Sequence, residues 1–203
     1  MILDDKQIRK ILIKRLTTYN NCVIHEEVTV PCGKARADVV ASNGHLIGYE
    51  IKSDVDSLYR LPSQIEEYDK AFEQNYIVVG ERFQNKAFDL VPNYWGIIVI
   101  KVKDEYSEGE LFFARKAKLN PKQNFRELVD FLSSNEIKYL VKETKGIYED
   151  FTRTQIQGMV KWRLVQELEE TLSKKKQLIF KKVVREVFKG KSVKDIYKNG
   201  LLL

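Results

Sequence analysis

Asn43-Gly44 lies between two runs rich in β-branched and apolar residues, 36–41 and 45–52, and narrows the choice of fold more sharply than any other dipeptide in the chain. Asn-Gly accepts the positive backbone angles of a tight hairpin, so the two runs are expected to pair antiparallel. A third β-like run, 22–30, precedes them and makes a three-stranded meander. On both sides of the meander the apolar period changes from two to three-and-four. Ile8, Ile11, Leu12 and Leu16 predict an amphipathic helix over 4–18, with Asp4 and Asp5 where the helix dipole favours acids. Leu58, Leu61, Ile65, Tyr68 and Phe72 predict a second helix that crosses the sheet, with Pro62 tolerated in its first turn. A short strand at 76–79 ending at Gly80, a helical stretch up to Leu90, and strands at 96–102 and 110–115 joined by the acidic loop 104–108 follow.

From Asn120-Pro121 onward the stripes are helical, over segments near 123–133, 135–144, 152–172, 176–189 and 192–198, and Gly and Pro become sparse. The expected organisation is therefore an α/β part at 1–119 and a basic helical part at 120–203. Charge divides at nearly the same place. Residues 1–103 carry 14 basic and 14 acidic side chains, whereas residues 104–203 carry 21 and 15 and so supply the whole net charge of +6. Lys174, Lys175, Lys176, Lys181 and Lys182 concentrate that excess, and such a patch attracts polyphosphate by releasing condensed counterions. The competing reading of the same lysines is a solvated helix face.

Several classes are excluded. The longest apolar runs, such as 97–100, fall far short of the roughly 20 residues of a membrane-spanning helix. The first residues lack the apolar stretch of a secretory signal, so a cytoplasmic protein with no membrane partner is expected. Cys22 and Cys32 stand ten apart with no metal-ligand spacing around them and are expected as buried or half-buried thiols; His25 and His45 are the only histidines. Gly190-Lys191-Ser192 resembles the end of a phosphate-binding loop, but Arg185 occupies the required first glycine position and the preceding segment is helical. Among the aromatic residues Phe72, Phe112, Phe125 and Phe131 are expected in the core, Trp95 at the end of the sheet, and Trp162 in the basic helical part.

The chemistry concentrates on the hairpin. Strand alternation puts Glu50 and Lys52 on one side and Tyr49 and Ile51 on the other, and Asp38 on the neighbouring strand can face the first pair. Two carboxylates converging beside a lysine form an oxygen-donor site for a hard cation such as Mg²⁺. Such a cation polarises a phosphodiester and acidifies a bound water, while the ammonium stabilises charge on the phosphorane. The alternative is a pair of solvent-facing residues on a half-exposed strand.

The order of helix, meander, crossover helix and strand, with Asp38, then eleven residues, then Glu50-x-Lys52, resembles the αβββαβ core of the PD-(D/E)XK nuclease superfamily, the restriction-endonuclease-like fold. The strings Arg36-Ala37-Asp38-Val39, Gly48-Tyr49-Glu50-Ile51-Lys52-Ser53-Asp54, Arg60-Leu61-Pro62-x-Gln64 and Tyr94-Trp95-Gly96 look like an uncharacterised bacterial and phage branch of it, in which the last motif is more often W-W-G. The resemblance spans about residues 5 to 145. It implies a Mg²⁺-dependent deoxyribonuclease, with Mn²⁺ as a substitute, in which Asp38 and Glu50 bind metal and Lys52 orients the attacking water. It also implies a further carboxylate, Glu27 or the adjacent Glu26, of which alternation lets only one face the site. Gln64, with Tyr68 one turn on, resembles the Q-x-x-x-Y motif of exonuclease-like branches; Gln64 would contact water or phosphate, and Tyr68 is either a backbone partner or plain core. Arg36 and Arg60 are candidates for phosphate contact or for structural ion pairs. DNA is the expected partner; a homodimer or an unidentified protein partner stays open. Two rival readings remain: a nuclease-fold protein that binds nucleic acid without cutting it, and a protein-interaction module.

Overall fold

A computed structural model describes residues 2–102, 109–144 and 152–198. The chain divides into two compact units, Met1–Gln123 and Asn124–Leu203. The expected boundary at 119 moves four residues later because Asn120 is held by the first unit: its side-chain amide donates to the Asp69 and Phe72 carbonyls at 2.7 and 2.8 Å, and its N–H donates to the Glu73 carbonyl at 2.9 Å.

The first unit runs α1 (Asp5–Leu16), β1 (Val23–Thr29), β2 (Arg36–Asn43), β3 (His45–Lys52), α2 (Leu61–Ala71), β4 (Gln74–Gly80), a 3-10 turn (Glu81–Phe83), α3 (Gln84–Leu90), β5 (Gly96–Lys101) and β6 (Glu110–Arg115). Its first six elements are in the expected αβββαβ order. The six strands lie in sequence order in one mixed sheet: β1, β2 and β3 form the antiparallel meander, β4 and β5 add parallel, and β6 returns antiparallel. The acidic loop expected at 104–108 lies outside the described residues.

Local causes are visible at each start and turn. Asp4 accepts from the Gln7 N–H at 2.8 Å while the Gln7 side chain accepts from the Asp4 N–H at 2.9 Å, a capping box of the kind that stabilises a helix start by about 1 kcal/mol. Gly44 sits at the hairpin apex with φ of 74°, and Asn43 pairs with His45 across it. Leu58 stays outside α2, which starts instead at Leu61 with Pro62 in its first turn.

β3 is the centre of the unit and is covered on both faces. Ile47, Tyr49 and Ile51 pack with Ile8, Leu12 and Leu16 of α1, and with Val78, Ile98 and Ile100. The alternate residues face α2, where Gly48 leaves room for the Phe72 ring: a Cβ there would come within 2.5 Å of it. Coverage on both faces is what a strand with a parallel neighbour requires, and it carries Glu50 and Lys52 into the interior, 1% and 6% exposed. They are therefore not the solvent-facing pair of a half-exposed strand. Phe112, expected in the core, is 43% exposed, because β6 has one open face. Cys22 is half-buried, but Cys32 is exposed, on the turn between β1 and β2, with its thiol donating to Glu67 at 2.8 Å.

The second unit consists, among the described residues, of α4 (Phe125–Val129), α5 (Ser134–Glu143), α6 (Arg153–Gly158), α7 (Lys161–Thr171), α8 (Lys174–Phe188) and α9 (Val193–Lys198). The single helix expected over 152–172 is two, since Met159 is extended after Gly158 and Val160 begins a new start. Leu128, Leu132, Ile137, Leu140, Leu164, Leu168, Phe180 and Val183 are buried in it, with Phe125 and Phe180 edge to face. Phe131, also expected in the core, is only partly buried. Among the described residues no helix is long and apolar enough to cross a membrane.

Candidate functional site

The strand registers bring the acids together. β1 and β2 pair Glu26 with Val39 and Val28 with Ala37, which sets Glu27 across from Asp38; β2 and β3 pair Val39 with Tyr49, which sets Asp38 beside Glu50. One Asp38 carboxylate oxygen accepts from the Ile51 N–H at 2.7 Å. Glu50 is held at both oxygens: Lys52 Nζ lies 2.7 Å from Oε1, and the Tyr68 hydroxyl donates to Oε2 at 2.6 Å. Tyr68, fully buried on α2, thus does more than fill the core, because its phenol fixes the orientation of a buried carboxylate.

Electrostatics follow from this crowding. Burial and then the Glu50 charge push the Asp38 carboxyl up to about 7, against the opposing Ile51 N–H and the Arg9 guanidinium. Burial and the same two carboxylates push the Tyr68 phenol well above its ordinary range, so it remains a proton donor. A carboxyl raised by burial and by a neighbouring carboxylate, with a lysine against that neighbour, marks a candidate functional cleft.

The first strand departs from alternation at the position that matters. Glu27 has φ of 55°, a left-handed conformation that costs a non-glycine residue on the order of 1 kcal/mol. The turn lets neighbouring acids reach one cation: Arg9 of α1 lies 2.7 Å from Glu27 and 3.7 Å from Glu26. Both acids thus reach Arg9, Glu27 the more closely. Arg9 also donates to the Asp38 carbonyl at 2.8 Å and approaches its carboxylate at 3.5 Å. Arg36 pairs with the other Glu27 oxygen at 2.7 Å.

Gln64 lies one turn before Tyr68 on the same face of α2, and its side-chain oxygen is buried without a hydrogen-bond partner. Arg60 precedes α2 and is exposed, without a side-chain cap bond. Lys174, Lys175 and Lys182 are exposed and Lys176 and Lys181 half-buried, all on α8 of the second unit. Sequence reasoning missed Arg9, whose signal was a cation one turn after Asp5 on the flank of the apolar stripe; it ion-pairs with Asp5 at 3.1 Å. The later motif residues are structural. Asp54 accepts from the Leu3 N–H at 3.1 Å, and Tyr94 and Trp95 donate to Asp69 at 2.5 and 2.7 Å.

Among the described residues no group of three or more His, Cys, Asp and Glu is arranged to hold a metal ion. Asp38 and Glu50 are two carboxylates, and each engaged oxygen keeps lone-pair capacity. Mg²⁺ is commonly held by one or two carboxylates together with water and substrate phosphates, so this donor set fits it.

The model of the family described as bacteriophage P4 protein cII matches residues 4–199. The chain belongs to that family. This cII-family chain is 28% identical over 145 residues to Protein cII of Enterobacteria phage P4, an alignment covering 70% of the chain and 54% of that relative. It thus spans about half the length of the curated relative it matches. It is also similar to a solved structure, the SPO1766 protein of unknown function from Silicibacter pomeroyi, with 20% identity, 60% of this chain and 79% of that one covered, and a TM-score of 0.41. All the residues of the site fall inside the cII family match.

Proposed function

We propose that this cII-family chain is a metal-dependent nuclease of the PD-(D/E)XK type that hydrolyses DNA, acting in the cytoplasm of a bacterial or phage-infected cell. The observation that carries the reading is the Asp38–Glu50–Lys52 cluster: two adjoining carboxylates, Asp38 raised to about 7 by burial and then by the Glu50 charge, with a buried lysine 2.7 Å from Glu50. Buried ion pairs of this kind are poor stability devices, since desolvation cancels most of the attraction. Their presence on a central strand is better explained by chemistry.

Asp38 and Glu50 would hold Mg²⁺ or Mn²⁺, which supplies a polarised phosphodiester and a more acidic water. Lys52 offers its remaining N–H donors to the attacking water or to the phosphorane oxygens. Tyr68 keeps Glu50 from rotating, and the Ile51 N–H does the same for Asp38. Arg9 and Arg36 hold Glu27 between them, and Arg36, largely exposed, would meet a phosphate. The lysines of α8 would bind the DNA backbone.

One observation favours the non-catalytic alternative of a nucleic-acid-binding or protein-interaction module: Arg9 lies against Asp5, Glu26, Glu27 and Asp38, so the acids are compensated without a metal. The test separates the two readings. Labelled single- and double-stranded DNA is incubated with the protein in Mg²⁺, Mn²⁺ or chelator, beside the Asp38→Asn/Lys52→Ala variant. Metal-dependent cutting that the variant loses is the expected result. Binding without cutting under every condition refutes the nuclease and leaves the alternative.

A further inference from the structure

The second unit contains a cavity of about 220 Å³ lined by none of the residues proposed above for DNA. Asn135, Lys138, Tyr139 and Lys142 of α5 form one wall, at the spacing that places side chains on a single helix face. Arg153 and Gln157 of α6 form the other, over a floor of buried Ile156. Three of these side chains are cations, and among the described residues no carboxylate lines the cavity; Glu143, next to Lys142 in sequence, is not part of the wall, although its charge acts on Tyr139.

The cations differ in how they are held. Lys138 Nζ donates to the Gln157 carbonyl at 2.8 Å, which ties α5 to α6 and fixes one ammonium at the wall. Lys142 and Arg153 are exposed, and among the described residues neither takes part in an ion pair. Three like charges gathered around one cavity repel each other, and an anion removes that cost. The donors suit a tetrahedral oxyanion: a guanidinium offers a planar fork, ammoniums offer point charges, and the Asn135 amide and Tyr139 hydroxyl offer neutral hydrogen bonds. The volume lies below the roughly 300–1,000 Å³ typical of drug-sized ligands, so a single phosphate group is a better match than a whole cofactor.

We infer that this cavity seats one phosphate group of a nucleic-acid backbone. The backbone is favoured over a free phosphate because the cavity belongs to the half of the chain with 21 basic against 15 acidic residues, a field that attracts a polyanion. The inference rests on the nucleic-acid reading above but adds a contact apart from the α8 lysines.

The test uses the full chain in chelator, so that binding is read without cleavage. The Lys142→Gln/Arg153→Gln variant and the wild type are titrated with a 20-nucleotide oligonucleotide, single- and double-stranded, across a salt series by fluorescence anisotropy. Circular dichroism checks folding, which the substitution of two exposed side chains leaves intact. In parallel, inorganic phosphate is titrated into ¹⁵N-labelled protein while the side-chain amides of Asn135 and Gln157 are followed. The expected results are shifted amide resonances, a roughly tenfold loss of DNA affinity, and a salt slope shallower by about 0.9 for one lost duplex phosphate contact. Unchanged affinity and slope in the variant overturn the inference. Resonance shifts with phosphate but undiminished DNA affinity overturn the backbone assignment in favour of a free phosphate. A variant that binds normally while the wild type cuts in Mg²⁺ refutes only the cavity; a wild type that binds through the cavity and never cuts refutes only the nuclease.

Discussion

Asp38→Asn should make the first unit more stable above neutral pH and remove much of its pH dependence. The Asp38 carboxyl is raised in the folded protein from its ordinary 3.8 to about 7, by burial first and Glu50 second. An acid raised in this way binds more protons folded than unfolded between those two values, so stability is fully present below about 4 and is lost as pH rises toward 7. The loss amounts to on the order of 4 kcal/mol at pH 8, at 1.36 kcal/mol for each tenfold change in proton affinity. Asn keeps an oxygen for the Ile51 N–H and the backbone carbonyl that Arg9 uses, but carries no charge to repel Glu50. The assay is urea denaturation at pH 4.5 and pH 8, followed by the fluorescence of Trp95, which is buried in the first unit, in a Trp162→Phe background. The stability difference between variant and wild type should move by several kcal/mol toward the variant between the two pH values. A difference that stays constant with pH would refute the coupling argument. Mg²⁺ at pH 8 should stabilise the wild type and leave Asp38→Asn unaffected.

Four further perturbations test other links. Tyr68→Phe leaves a buried Glu50 oxygen without its 2.6 Å donor and should cost about 1–3 kcal/mol in the same denaturation assay; an unchanged midpoint would argue against the bond. Gly48→Ala brings a Cβ to 2.5 Å from the Phe72 ring and should cost about 1–3 kcal/mol while lowering cleavage by shifting α2. Lys52→Ala should abolish cleavage and retain DNA binding, whereas Gln at Lys174, Lys175 and Lys176 should weaken binding and flatten its salt dependence, both measured by gel shift and product formation.

The order of elements in the first unit was legible because it rests on local signals: the Asn43-Gly44 turn, the 3/4 stripe of Ile8, Leu12 and Leu16, and the alternation that sets Glu50 and Lys52 on one face. Register then followed, since a single turn residue determines which residues pair along the hairpin. What remained open depended on contacts between segments far apart in the chain. Alternation cannot report that Glu27 adopts a left-handed backbone, nor that Arg9 of α1 lies 2.7 Å from it. The same limit applies to Phe112, whose apolar character predicts burial although the residue is 43% exposed, with Lys101 over its ring. Tyr68 could be read as core or as site; it is buried with its hydroxyl on Glu50, a contact that only the packing of α2 on β3 provides. Sequence by itself determines which groups alternate, cap and turn, since those depend on neighbours along the chain. Which charges meet, and how far burial raises their proton affinity, is decided by tertiary packing, because desolvation and Coulomb repulsion act through space.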